Sequence, residues 1–206
     1  GSLGTGRGST DLLRQEIRKV KMLTDKPFAV QLVSPSKNRV TSAAREQALP
    51  EEHVLFMKGL QEEFSIPGPN NIPPRPKEAP DSMELMEVAW EEDVPYWVCF
   101  FGPAGESMVK EAHAHGMKVI NSVGTTKHVE RCLAMGVDAF IATGYEAGAH
   151  RGDIGAMALI PQVVDAAGGT PVVAAGGIGD GRGLVAALAL GAEGVEVILV
   201  VAEKLQ

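Results

Sequence analysis

A chain of 206 residues can form one domain with a sizeable core, yet it is short of the ~250 residues typical of a complete eight-stranded (β/α) barrel. With 45% hydrophobic and 22% charged residues it has the composition of a folded domain, and disorder is not expected. A formal net charge of -7 without any Lys/Arg cluster would repel a phosphate backbone, so no nucleic-acid partner is expected. No apolar run is long enough to span a bilayer, and the N-terminus lacks a charged-then-apolar signal pattern, so no membrane partner is expected either. Cys99 and Cys132 sit in regular elements and not at framework or metal spacing. That usage suits a reducing compartment and makes the cytoplasm the expected location.

In chain order, the patterning predicts a helix over 10–23, a strand over 28–33 and a helix over 51–64. A Pro-, Asn- and Gly-rich surface loop over 65–80 follows, then a helix over 81–92 and a strand over 96–101. After these come helix 105–115, strand 118–123, helix 126–135, strand 138–142, helix 155–167, strand 171–175, helix 181–190 and strand 194–199. Leu3-Gly4-Thr5-Gly6 reads as the tail of one more strand.

Two kinds of punctuation carry this reading. Gly116, Gly136 and Gly191 each follow an apolar helix tail, where a left-handed residue ends the helix. Pro27, Pro95 and Pro171 open strands, where no ladder donor is needed. Asp81, Thr126 and Asp180 are the expected N-caps. The strands are short apolar runs without clean alternation, as in a parallel sheet covered on both faces. A (β/α) barrel is the expected architecture for one domain over 1–206, with an open doubly wound sheet as the alternative. The clear strands are too few for eight, and a start in mid-βα unit suggests that residues precede Gly1.

Two constellations carry chemistry. In Val172-Val173-Ala174-Ala175-Gly176-Gly177-Ile178-Gly179-Asp180-Gly181-Arg182-Gly183 a buried strand runs into a glycine turn and then a helix start. Small residues let backbone N–H groups approach an anion, and the helix start adds partial positive charge, which is how a phosphate is held. A tight turn without a ligand is the alternative. The second constellation is Gly144-Tyr145-Glu146-Ala147-Gly148-Ala149-His150-Arg151-Gly152-Asp153, a loop at the C-terminal end of a strand. An imidazole titrating near neutrality can take a carbon-bound proton, which makes His150 the candidate base; a solvated loop histidine is the alternative.

The other histidines read as structural. His113 and His115 close a helix two residues apart, on different faces, and His53 and His128 occupy surface helix positions. No HExxH, Cys pair or carboxylate cluster supports a metal site, and there is no nucleophile elbow, P-loop or Rossmann fingerprint. Met83, Met86 and Trp90 share helical spacing and read as core.

The run from Gly144 to Val195 resembles the nitronate monooxygenase (2-nitropropane dioxygenase) family and its relative, the flavin-dependent enoyl-acyl-carrier-protein reductases. The resemblance is carried by Glu146-Ala147-Gly148-Ala149-His150-Arg151-Gly152, by Leu159 to Asp165, by Ala174-Ala175-Gly176-Gly177-Ile178, by Asp180-Gly181-Arg182-Gly183-Leu184 and by Ala186 to Val195. Leu23 to Leu32 resembles the family's third strand, and Phe100-Phe101-Gly102-Pro103 the end of its fourth.

That resemblance implies an FMN-binding TIM barrel acting on a small-molecule substrate. It implies His150 as catalytic base, Gly176 and Gly177 as donors to the FMN phosphate, and Gln31, Ser122 and Gly148 as the flavin lining. The chemistry would belong to the flavin, with the protein supplying position, a proton path and substrate exclusion.

Three differences from the family pattern stand out. Its first strand and its C-terminal extension are not among these residues. Gln31 replaces the usual Asn. Glu196-Val197-Ile198-Leu199 stands where a Gly-Thr step completes the phosphate cup. Nitronate or nitroalkane oxidation is thus the leading expectation, with enoyl-thioester reduction by NAD(P)H as its nearest rival. A flavin-free, non-catalytic barrel is the rival of another class, and a cofactor-free phosphosugar enzyme is more distant. A homodimer is one of the oligomeric states left open.

Overall fold

The computed structural model describes residues 1–4, 9–34, 50–66, 81–148 and 152–197. The chain divides into two compact units, Gly1–Pro35 with Pro80–Gln206, and Ser36–Ala79. The described part of the second unit contains one helix, Glu51–Glu63, with no buried residue. Its Leu55, Phe56 and Met57 are exposed. The expected loop over 65–80 lies outside the described residues, apart from its first two positions.

The first unit alternates strands and helices. Its strands are β1 (Ser2–Gly4), β2 (Ala29–Val33), β3 (Tyr96–Phe100), β4 (Lys118–Val123), β5 (Ala139–Thr143), β6 (Val172–Ala175) and β7 (Gly194–Glu196). With the helix of the second unit numbered α2, the helices are α1 (Thr10–Leu23), α3 (Ser82–Glu91), α4 (Glu106–Ala114), α5 (Thr126–Ala134), α6 (Ala156–Ala167) and α7 (Gly181–Ala189). All ladders are parallel, and the strand order is β1-β2-β3-β4-β5-β6-β7. A doubly wound sheet reverses its order at a switch point. Strictly sequential order excludes it and is the order of a (β/α) barrel, here incomplete.

The sheet curls. Glu196 Oε1, on the last strand, accepts hydrogen bonds from Ser2 Oγ (3.3 Å) on the first and from Gln31 Nε2 (2.9 Å) on the second. Side chains alternate between the two faces. Val30, Leu32, Trp97, Cys99, Val119, Phe140 and Val172 pack outward in the main core with the helices. Ala29, Val98, Ile141 and Ala175 form a separate inner cluster, with Tyr96, Ile120 and Val173 against it. Each large buried side chain contributes roughly 1.5–3 kcal/mol. Trp97 is fully buried, and its indole N–H donates to Leu32 O (2.9 Å), so its polar atom is satisfied as well.

Local chemistry sets the boundaries. Gly116, Gly136 and Gly191 have φ of 73°, 84° and 95°, the left-handed geometry expected of helix-ending glycines. Pro95 and Pro171 sit immediately before their strands, and their carbonyls accept from Lys118 and Phe140 of the neighbouring strands. Asp81 forms a capping box with Glu84, and Asp180 accepts from the Arg182 N–H, as expected. Thr126 is not the N-cap: Thr125 holds that place in extended geometry, without a side-chain bond, and Thr126 is the first helical residue.

Helices α1 and α3 are fastened by one buried carboxylate. Glu92 accepts from Arg14 (3.1 Å) and from Arg18 Nε (2.9 Å), while Lys21 donates to its backbone carbonyl. The Arg18 hydrogen bond is the largest of the effects that hold the Glu92 carboxyl below its usual range. Among the described residues, no helix is long and apolar enough to cross a membrane.

Candidate functional site

The inward-facing residues at the C-terminal ends of the strands form a ring. Ser122 of β4 shares a hydrogen bond with Thr143 Oγ1 of β5 (2.8 Å). Thr143 stands beside Ala175 of β6, and Ala175 beside Glu196 of β7. Glu196 then reaches across to Gln31 of β2. Two expected lining residues, Gln31 and Ser122, therefore stand at the two ends of one series of neighbours, and that series passes Ala175, the residue before the glycine turn.

The loop carrying Gly148 meets that turn. Gly144 leaves β5, a 3₁₀ turn spans Tyr145–Ala147, and Gly148 follows with φ 69°. A Cβ on Gly176 (φ 94°) would lie 3.0 Å from both Ala147 N and Gly144 O. A Cβ on Gly177 (φ 72°) would meet Glu146 Cβ at 3.4 Å. These glycines are therefore required first by loop-on-loop packing and by a left-handed backbone, whether or not a ligand binds.

What remains open at the turn is its donor set. None of the described hydrogen bonds uses the backbone N–H of Gly177, Ile178 or Gly179, and a Cβ on Gly179 would meet nothing within 4 Å. The Arg182 N–H at the start of α7 is already bound by Asp180 Oδ1 (2.9 Å). Hydrogen bonds from Arg182, side chain before backbone, hold the Asp180 carboxyl below its usual range. An anion here would meet the turn's donors, while the helix cap is filled. A cofactor phosphate fits that set.

Residues that sequence reasoning did not single out organise the mouth. Glu146 accepts from Ala156 N with both oxygens (2.9 and 3.2 Å), closing the start of α6. Its N-cap is Gly155, which has no side chain to do so. A helix opening on Gly-Ala without Ser, Thr, Asp or Asn was the available signal that another group must satisfy its first N–H.

Asn121, 1% exposed, accepts from the Ala104 N–H (2.9 Å) and donates to Gly102 O (3.2 Å) and Ser122 O (2.9 Å), pinning the loop after β3. In that loop Phe101 has φ 62°, a conformation that costs a residue with a Cβ about 1–2 kcal/mol, and its ring packs edge-on against Phe100. Thr143 and Glu196 complete the ring. Both are positioned by strand register, which no local motif displays.

His150 lies outside the described residues, and so do Ile198 and Leu199, which stand in place of the family's Gly-Thr step. The remaining polar groups read as structure. His113 Nε2 pairs with Asp138 (2.7 Å), and the His115 ring stacks on Trp90. Burial pushes the Cys99 thiol up to about 12 and Cys132 to about 11, so neither serves as a thiolate nucleophile. No cluster of His, Cys, Asp and Glu among the described residues could hold a metal ion.

Comparison with known proteins agrees with this architecture. A Staphylococcus saprophyticus protein named "Probable nitronate monooxygenase" is 38% identical, with 95% of this chain aligned to 56% of its length. The nitroalkane oxidase of Streptomyces ansochromogenes superposes with a TM-score of 0.74 at 27% identity, covering 96% of this chain and 56% of that one. FabK of Thermotoga maritima gives 0.68 at 30% identity, covering 95% and 48%. The chain thus spans about half the length of these relatives. The profile of the nitronate monooxygenase family matches residues 1–200, and the chain belongs to that family.

Proposed function

We propose that this chain carries the cofactor site of a flavin-dependent oxidoreductase acting on nitronates or nitroalkanes, with FMN as cofactor and His150 as base. The observation that carries the reading is the ring at the strand ends, Ser122–Thr143–Ala175–Glu196–Gln31, leading into a glycine turn with three N–H groups that none of the described hydrogen bonds uses. Family membership and the likeness to a nitroalkane oxidase support it.

Bound there, the flavin would supply the electron acceptor for the oxidation. The chain's own residues do the rest. The N–H groups of the Gly176-Gly177-Ile178-Gly179 turn hold the phosphate, and Gln31, Ser122 and Gly148 line the ring system. Ser122 is kept in place by Thr143, and Val98, Ile141 and Ala175 keep water from the barrel interior beneath. Glu146 anchors the loop that leads to His150. From that loop the imidazole removes the proton on the carbon bearing the nitro group, provided it is neutral.

The test pairs a spectrum with turnover. His150→Ala should keep the flavin absorbance and lose nitroalkane oxidation, whereas full activity would remove His150 from the mechanism. The likeness to FabK supports a second reading, reduction of an enoyl thioester with NAD(P)H. Nicotinamide consumption with an enoyl thioester, and none with nitronates, would establish that reading instead.

A further inference from the structure

Of the residues that face the barrel interior in the described strands, Glu196 is the one carboxylate. Register places it beside Ala175, one residue before the glycine turn. Its Oε1 takes the hydrogen bonds of both Ser2 Oγ and Gln31 Nε2, and Gln31 Nε2 also donates to Ser2 Oγ (2.9 Å). Both amide hydrogens of Gln31 are therefore aimed at oxygen, which fixes which way its amide faces. No Lys, Arg or His among the described residues pairs with Glu196. An inward negative charge with neutral partners stands at the mouth where a phosphorylated, electron-accepting cofactor is placed, and like charges there repel.

We propose that Glu196 is a positioning and charge-setting residue for the flavin, fixing the Gln31 amide and making reduction of the bound cofactor less favourable. The inference rests on the flavin reading above. It follows from Coulomb's law in a half-buried mouth, where adding electrons to the cofactor beside a fixed carboxylate is opposed more strongly than in water. Replacing Glu196 by Gln removes the charge and leaves an oxygen to accept from Ser2 and Gln31, so the ring can still close.

The full chain is reconstituted with FMN, and its midpoint potential is measured against redox dyes during dithionite reduction. Glu196→Gln should lower the oxidised-to-reduced ratio at a fixed ambient potential about tenfold, an upward shift of ~30 mV for a two-electron couple. Glu196→Asp keeps the charge and should stay near the parent value. Ser2→Lys, which leaves Glu196 in place and sets a cation beside it, should shift the potential upward too. Bound flavin with the same potential in the Gln and Lys variants overturns the inference alone. A parent chain that takes up no FMN overturns the flavin reading and this inference with it.

Discussion

Replacing Asn121 by Leu tests whether the mouth is held by a buried amide. The Leu side chain fills similar space but carries no polar atom. The Ala104 N–H, on a fully buried residue, then loses its acceptor at 2.9 Å, and the carbonyls of Gly102 and Ser122 lose a donor. An orphaned buried N–H costs about 1–3 kcal/mol, and the two carbonyls add less because Gly102 is exposed. The sum is roughly 2–4 kcal/mol. For a chain of this size that lowers the melting temperature by roughly 5–15 °C. Urea unfolding followed by tryptophan fluorescence measures it, and the midpoint should fall with an unchanged slope. Asn121→Asp keeps the acceptor but buries a charge and loses both donor bonds, so it should be no milder. A loss below about 0.5 kcal/mol in both variants would refute the assignment of the loop after β3 to this amide.

Other variants probe separate contacts. Gly144→Ala would put a Cβ within 2.6–2.7 Å of Ala156 Cβ, Cα and N, a clash with backbone that no rotamer relieves. A loss of about 1–3 kcal/mol is expected by urea unfolding, along with weaker flavin binding; parent-like values in both would contradict the packing of β5 on α6. Asp138 is opposed by burial, yet bonds from Lys118, the Val119 N–H and His113 outweigh this and hold its carboxyl below the usual range. Its contribution is therefore present above the ordinary carboxylate value of about 4 and is lost as pH falls through the lower folded value. Stability measured from neutral pH down to acid should lose part of its slope in Asp138→Asn; an unchanged slope would remove Asp138 from the acid response. Glu92→Gln should cost about 1–2 kcal/mol, since its cationic partners are partly exposed and screened, and added salt should narrow the difference. A salt-independent difference would mean that packing, not charge, joins α1 to α3.

Much of the fold is legible in residue order because punctuation is local. The glycines at 116, 136 and 191 and the prolines at 95 and 171 stand within three residues of the start of their strands, since each acts through its own φ or missing N–H. Strand order is different: the same βα alternation suits a barrel or a doubly wound sheet, and only long-range pairing separates them. The site divides in the same way. The glycine turn is visible as a motif, but part of its glycine requirement comes from the loop at 144–147, which no count of glycines reveals. Glu196 meeting Gln31 joins residues 165 positions apart, and Asn121 holding Ala104 depends on how the loop after β3 folds onto β4. Thr125 takes the N-cap place expected of Thr126 through its extended backbone alone, and two adjacent threonines carry no local signal that separates them.

The central claim is that the glycine turn and the ring at the strand ends bind a phosphorylated flavin. Titration of the flavin-free protein with FMN and with riboflavin, followed by flavin absorbance and fluorescence, tests it most directly. The account predicts visible flavin bands on the protein and tighter binding of FMN than of riboflavin, because the N–H groups of Gly177, Ile178 and Gly179 meet the phosphate. No uptake of FMN at excess, or equal affinity for the two, would contradict it.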